Sequence, residues 1–208
     1  IIFKSLFGFH PNNDTDSYIL SIQFFRGEGS EIFPNRYLNP FYAIIAATIL
    51  RGLTPENSIT VINIIFYFGL VFLTYDLIRR VFRSKFIGLV SALMIMTGYP
   101  MLRYSLTQVQ DIGGYFWFLL TIYCGWRWWE KKYVRWLLLG SVAVSMGVLT
   151  KESGCMGALL VGILFLINQD KWKNKILNFT YFSFLPFITI LINADRGKDV
   201  NYDSARWF

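Results

Sequence analysis

The sequence predicts an all-α protein, a polytopic transmembrane helix bundle with about six spanning helices and an interfacial helix on its outer face. Three observations predict it. Of the 208 residues, 54% are hydrophobic and only 16% charged, where a soluble domain carries about 25% charged residues. The apolar residues fall into long runs separated by short charged loops, most of them near the roughly 20 residues that cross a bilayer core. Aromatic side chains reach 19% and crowd both ends of one run, where amphipathic rings suit the headgroup level. A net charge of +7 does not make the chain a nucleic-acid binder, because such proteins are polar as well as basic. The composition also excludes a disordered chain, a coiled coil and a disulfide scaffold. Cys124 and Cys155 lie inside apolar runs and are expected to be small buried side chains.

The elements follow in chain order. The chain starts at Ile1 with only IIF before Lys4 and shows no signal-peptide pattern. It is expected to be a piece of a longer protein whose earlier span is cut away. Residues from about 10 to 56 are expected to form an outer loop with interfacial helices. Within it, Asn39-Pro40 opens a helix and Arg51-Gly52 closes it. The apolar part, 41–50, is too short to span, so this helix should lie in the interface or re-enter it. Six spans are expected at 59–78, 86–106, 112–129, 134–150, 154–168 and 176–192. The second is interrupted by Pro100 and Arg103, the fifth is short, and the sixth contains Pro186, which neighbouring helices tolerate in a membrane. The remainder, 194–208, is an outer tail, so that 1–208 makes a single transmembrane domain.

Charge orders these spans. The loops after the first, third and fifth hold eleven basic and three acidic residues, leaving nine basic and ten acidic on the other face. By the positive-inside rule the basic face is cytoplasmic and the other periplasmic, extracellular or lumenal. The alternation works only if 37–53 does not cross. Asp76 precedes Arg79 and Arg80 by three and four residues, the spacing of a helix-surface ion pair. In the third span, Tyr115, Phe116, Trp117 and Phe118 near the outer end and Trp126, Trp128 and Trp129 near the inner end read as lipid-anchoring belts.

His10 is the only histidine, so a multi-histidine metal site is not available, and no phosphate-binding glycine loop or nucleophile elbow occurs. What remains is a set of charges that the topology brings to the outer face. Asp14 and Asp16 lie in NNDTDSY, Arg36 in NRYLNP, Arg103 near the outer end of the second span, Asp111 at the start of the third, and Lys151 at the end of the fourth. Ionisable groups at such depth are costly unless paired or functional. Each also has a purely structural reading: Asp111 as a helix-start charge, Asp14 or Asp16 as Asx-turn residues, and Lys151 and Arg103 as snorkelling side chains. Asn13-Asp14-Thr15 matches a glycosylation sequon.

Three stretches together resemble the GT-C superfamily of membrane glycosyltransferases, in the branch with protein O-mannosyltransferases and lipid A aminoarabinose transferases. DTDSYILSIQFFRG resembles the first outer-loop pattern, RYSLTQVQDIGGYFWFLL the segment with an Asp at the outer start of a span, and RWLLLGSVAVSMGVLTKESG the span that ends in LTK. The likeness covers about residues 10–170. One departure is NRYLNPFY, where relatives of the aminoarabinose branch often carry Lys-Pro-Pro-Leu. The resemblance implies an enzyme using a polyprenyl-phosphate sugar donor and a lipid, glycan or protein acceptor, with its active face outside, in a bacterial plasma membrane or facing a eukaryotic lumen. It places Asp14 at the general-base position, with Asp16 as the close competitor, and Asp111 and Lys151 at the substrate. Arg36, in the stretch that departs from the pattern, and Arg103 are further candidate substrate-binding cations, because a departing lipid phosphate needs them. It implies no cofactor, although two acidic residues of DTD with Asp111 offer oxygen ligands for a divalent cation. A transporter or lipid flippase subunit and a non-catalytic membrane scaffold remain open as alternatives. The nearly uncharged span interiors speak against a transport pathway.

Overall fold

The computed structural model describes residues 15–28, 39–107 and 109–199. Regular structure among them is helical. Two short helices come first: α1 (Thr15–Arg26) and α2 (Phe41–Thr48). α3 (Pro55–Val81) starts with Thr54, whose side chain accepts from the Asn57 N–H, followed by Pro55 and Glu56, and ends on Arg79 and Arg80. That order satisfies free N–H groups at the start and sets cations against the carbonyl end. α4 (Lys85–Thr97) is capped by Ser84 and passes into α5 (Tyr99–Leu106) through a 55° bend. Gly98 and Pro100 account for the bend. Proline in a helix interior lacks an N–H and clashes with the preceding turn, so the chain restarts with Pro100 in the first turn of α5.

α6 (Asp111–Lys131) and α7 (Val134–Thr150) are joined by two residues, which makes them antiparallel neighbours. A 3₁₀ turn (Glu152–Met156), α8 (Gly157–Ile167) and α9 (Trp172–Asp199) complete the described chain, with Pro186 inside α9. α6 is central, packing on α3, α7 and α8. α4 and α9 lie outside on α3 and α7, while α1 and α2 pack together beside α3.

Two helices, 55–81 and 172–194, are long and apolar enough to cross a membrane, and the bent pair α4–α5 makes up to three. α7 and the stretch 153–167 are shorter apolar helices. Length and composition thus do not confirm the six expected spans. The run 37–53 yields only an eight-residue helix, α2, consistent with the expectation that it does not cross.

Two apolar clusters hold the bundle. One joins Tyr18, Ile22, Tyr42, Ile59, Phe66 and Ile112. The other joins Trp128, Leu137, Val144, Val161, Phe165 and Phe182. This corrects the lipid-belt reading of part of the aromatic set. Phe116 and Trp117 stack on Phe66 at 4.8 and 5.5 Å between ring centroids, and Trp128 is buried against Phe165. Lipid and protein interior are equally apolar, so composition does not tell the two environments apart. Cys124 is buried as expected, but Cys155 is half-buried. It lines an apolar cavity of about 310 Å³ between α7, α8 and α9.

Polar contacts tie the connections at each end. At one end the Arg80 guanidinium lies 3.9 Å from Glu130, and Lys132 donates to Asn168 at 2.9 Å, linking the ends of α3, α6 and α8. Asp76 pairs with Arg79 and Arg80, as its spacing predicted, and also accepts from the Tyr123 hydroxyl at 2.8 Å. This is the basic end. The opposite end holds the starts of α3, α6 and α8 and the end of α7.

Candidate functional site

At that opposite end Lys151 forms an ion pair with Asp111 across forty positions of sequence. Two backbone events bring them together. The segment before α6 is pulled onto α3 by Asn63, whose amide donates to the carbonyls of Thr107 and Val109, both at 2.8 Å. The Tyr42 hydroxyl donates to the same amide's oxygen at 2.7 Å. Asn63 is fully buried, and all three bonds are needed because an unpaired amide in an apolar interior is costly. The end of α7 then closes against the start of α6 through glycines. A Cβ on Gly113 would lie 2.5 Å from the Tyr42 hydroxyl oxygen, and one on Gly114 would lie 2.7 Å from the Ser153 hydroxyl oxygen and 3.3 Å from the Lys151 Cβ. Backbone also meets backbone where Gly147 faces Gly154. Side chains at these positions would hold the two charges apart.

Asp111 is the first residue of α6. Gln110 stands at the cap position, but its side chain does not bond the free N–H groups. Asp111 therefore sits in the first turn, where a carboxylate suits the helix dipole. Its pairing with Lys151 shows that helix-start charge is not its only role. The pair's side chains are 23% and 35% exposed, and a pair open to solvent to that extent contributes about 1 kcal/mol or less to stability. The Lys151 ammonium has three donors, so pairing leaves it able to donate to an incoming anion.

Tyr42 joins the pieces. Burial first, then the Tyr18 phenol and the Asp111 carboxylate, push its phenol well above the ordinary range, the Gly113 backbone acting the other way. Tyr42 thus stays neutral and serves as a donor. Arg26 anchors the outer helices. One of its terminal nitrogens, Nη2, donates to the carbonyls of Ala46 (3.1 Å), Leu50 (3.3 Å) and Leu53 (2.9 Å) and to the Ser58 hydroxyl (3.4 Å). It closes the end of α2 and ties α1 to the start of α3, as a cation does at a helix C-terminus.

Of the sequence-predicted residues, Asp111 and Lys151 meet. Asp16 lies exposed in the first turn of α1, and Arg103 lies exposed in the last turn of α5. Among the described residues no ion pair joins either to Asp111 or Lys151. Asp14 and Arg36 lie outside the described residues, as do His10 and the Asn13 sequon position. Among the described residues no group of three or more His, Cys, Asp or Glu is placed to hold a metal ion. Tyr42, Asn63 and Arg26 were not singled out from sequence. A lone amide within the apolar run 59–78 was the available signal for Asn63.

Residues 38–193 match the family model described as dolichyl-phosphate-mannose-protein mannosyltransferase. The match covers most of the chain, including Asp111, Lys151, Tyr42 and Asn63, and the chain belongs to that family. No curated protein and no solved structure matches. The family and the apolar helices make the chain part of an integral membrane protein of the glycosyltransferase class. A lipid-linked sugar donor and a glycan or protein acceptor go with that class in general terms.

Proposed function

We propose that the chain transfers a sugar from a polyprenyl-phosphate carrier to an acceptor hydroxyl, with inversion, at the bundle end where Asp111 meets Lys151. In this reading α3, the bent pair α4–α5, α6, α7, α8 and α9 are the six spans, and α2 lies in the interface. The working end faces the periplasm, the cell exterior or a lumen. The basic end faces the cytoplasm, in line with the excess of Lys and Arg in its loops.

The acceptor oxygen attacks the anomeric carbon while the bond from that carbon to the phosphate-ester oxygen breaks. Asp14, or Asp16 beside it, takes the hydroxyl proton, and the lipid phosphate leaves with the bonding electrons. One carboxylate suffices because the leaving phosphate needs no protonation, the same in-line logic that inverting hydrolases apply to water. Lys151 receives the developing phosphate charge, with Arg36 and Arg103 as further cations, Arg offering two parallel donors. Asp111 holds the ammonium in place.

The observation that carries this reading is the Asp111–Lys151 contact. It unites two charges that the family resemblance puts at the substrate, and both fall within the family match. The test is sugar transfer by the full protein from a labelled polyprenyl-phosphate sugar pool, comparing wild type with Asp14→Asn. Loss of product at normal membrane insertion supports Asp14 as the base, and unchanged turnover moves that role to Asp16. No transfer by the wild type across a panel of sugars and acceptors overturns the proposal.

A further inference from the structure

The basic end holds a second arrangement that sugar transfer does not use. A polar cavity of about 270 Å³ lies between the end of α6 and the start of α9, lined by Trp128, Lys132, Asp170, Asn174, Leu177 and Asn178. Lys132 sits at the C-terminus of α6 with φ +55°, a left-handed conformation that disfavours any residue with a Cβ and is usually left to glycine or asparagine. Its ammonium is held 4.7 Å from the ring centroids of both Trp128 and Trp129 and donates to the Asn168 side-chain oxygen at 2.9 Å. The Asn168 amide in turn donates to Asp170 at 2.5 Å. Asn168 is buried, so a fixed neutral amide separates a cation from a carboxylate, and the two line one cavity without forming an ion pair with each other.

We propose that this cavity binds the headgroup of a phospholipid bearing a free primary amine. Opposite charges held apart around a cavity complement a dipolar ligand, not a simple anion. The phosphodiester meets the remaining donors of Lys132, and the ammonium meets Asp170 and the Asn174 and Asn178 amides. A quaternary ammonium is matched less well. It has no N–H to donate to Asp170, and the Trp128 and Trp129 faces that would receive it are taken by Lys132. The level fits too, because the cavity lies at the short links that end the apolar helices, where headgroups sit. Exposed Lys171 and Lys173 flank it and favour anionic phosphate nearby.

The test uses the full protein in detergent, delipidated and offered ethanolamine, choline and glycerol phospholipids with identical acyl chains, with retention read by native mass spectrometry. The ethanolamine lipid should be retained about tenfold over the choline lipid, the size of one charge-assisted hydrogen bond. Asp170→Asn, nearly isosteric, should remove that preference, and Lys132→Ala should lower retention of all three lipids. Equal retention of ethanolamine and choline lipids by the wild type, or an unchanged preference in Asp170→Asn, overturns the proposal. So does competition by soluble phosphoethanolamine as effective as that of the lipid, which would make the ligand a free metabolite. These outcomes are independent of sugar transfer at the other end.

Discussion

Asp111 opens α6, Lys151 closes α7, and their side chains form an ion pair at the mouth of the bundle. The contact exists because the two helix ends approach through glycines and because Asn63 fixes the segment that leads into α6. Its partial exposure makes it weak as a stabilising device.

Lys151→Met should lower sugar transfer by about a hundredfold, the scale of losing one donor to developing charge. The melting temperature in detergent should change little, since an exposed pair contributes about 1 kcal/mol or less. Parallel transfer and melting measurements check this. A large drop in melting temperature with proportionate loss of activity would make the pair a structural clamp.

Gly114→Ala should damage transfer more than stability. Its new methyl meets the Ser153 hydroxyl and the Lys151 Cβ, which moves the ammonium away from Asp111. Gly113→Ala should damage stability as well, because its methyl runs into the buried Tyr42 ring and the Thr150 side chain, at about 1–3 kcal/mol for overpacking. Urea unfolding and transfer rates of the two variants, taken together, test the contrast.

Asn63→Leu should be among the most damaging single changes. It leaves the Thr107 and Val109 carbonyls and the Tyr42 hydroxyl without their partner, and each stranded group costs about 1–3 kcal/mol. Tyr42→Phe strands the Asn63 oxygen and should cost less, about 1–3 kcal/mol for that one group. Thermal melts of the purified variants, and proteolysis of the 107–110 segment, report on both.

Tyr42 also predicts an alkaline limit. Its folded phenol titrates well above the ordinary value, whereas the unfolded phenol loses its proton near pH 10. Above that pH the unfolded state binds fewer protons than the folded one, so stability falls as pH rises. Below about pH 9 the contribution is complete and constant. The difference between wild type and Tyr42→Phe in melts from pH 8 to 11 isolates this group from the other tyrosines.

Arg26→Lys should loosen α1 and α2 from α3. The Nη2 of Arg26 alone meets the four oxygens on 46, 50, 53 and 58, and the lysine ammonium, on a side chain one bond shorter, does not reach that point. Faster hydrogen exchange at 46–54 without loss of the α6–α7 core is the expected signature.

Much of this was legible in the chain itself. Apolar runs marked where helices form, and Pro100 marked an interruption in the second run, which the structure shows as the bend between α4 and α5. Charge counting put Asp111 and Lys151 at one end without any contact in view, because loop charges report which end of a bundle a connection occupies. The Asp76 ion pair followed from helical spacing alone, while its third partner, Tyr123, did not. Spacing along one helix says nothing about a neighbour 47 residues away.

Composition is a local quantity, and it determined the class of protein, the helices and the sorting of charge between two ends. Contact between helices is not local. The tertiary structure alone decided that Phe116, Trp117 and Trp128 pack inward, that Asn63 holds the segment before α6, and that Asp111 touches Lys151. Rings facing lipid and rings facing a core are equally apolar, so only the way helices cross assigns them. The glycines at 69, 125 and 157 permit that crossing, because a Cβ there would lie 2.6 Å from the Phe116 ring, 2.5 Å from Val161 and 2.6 Å from the Phe118 carbonyl.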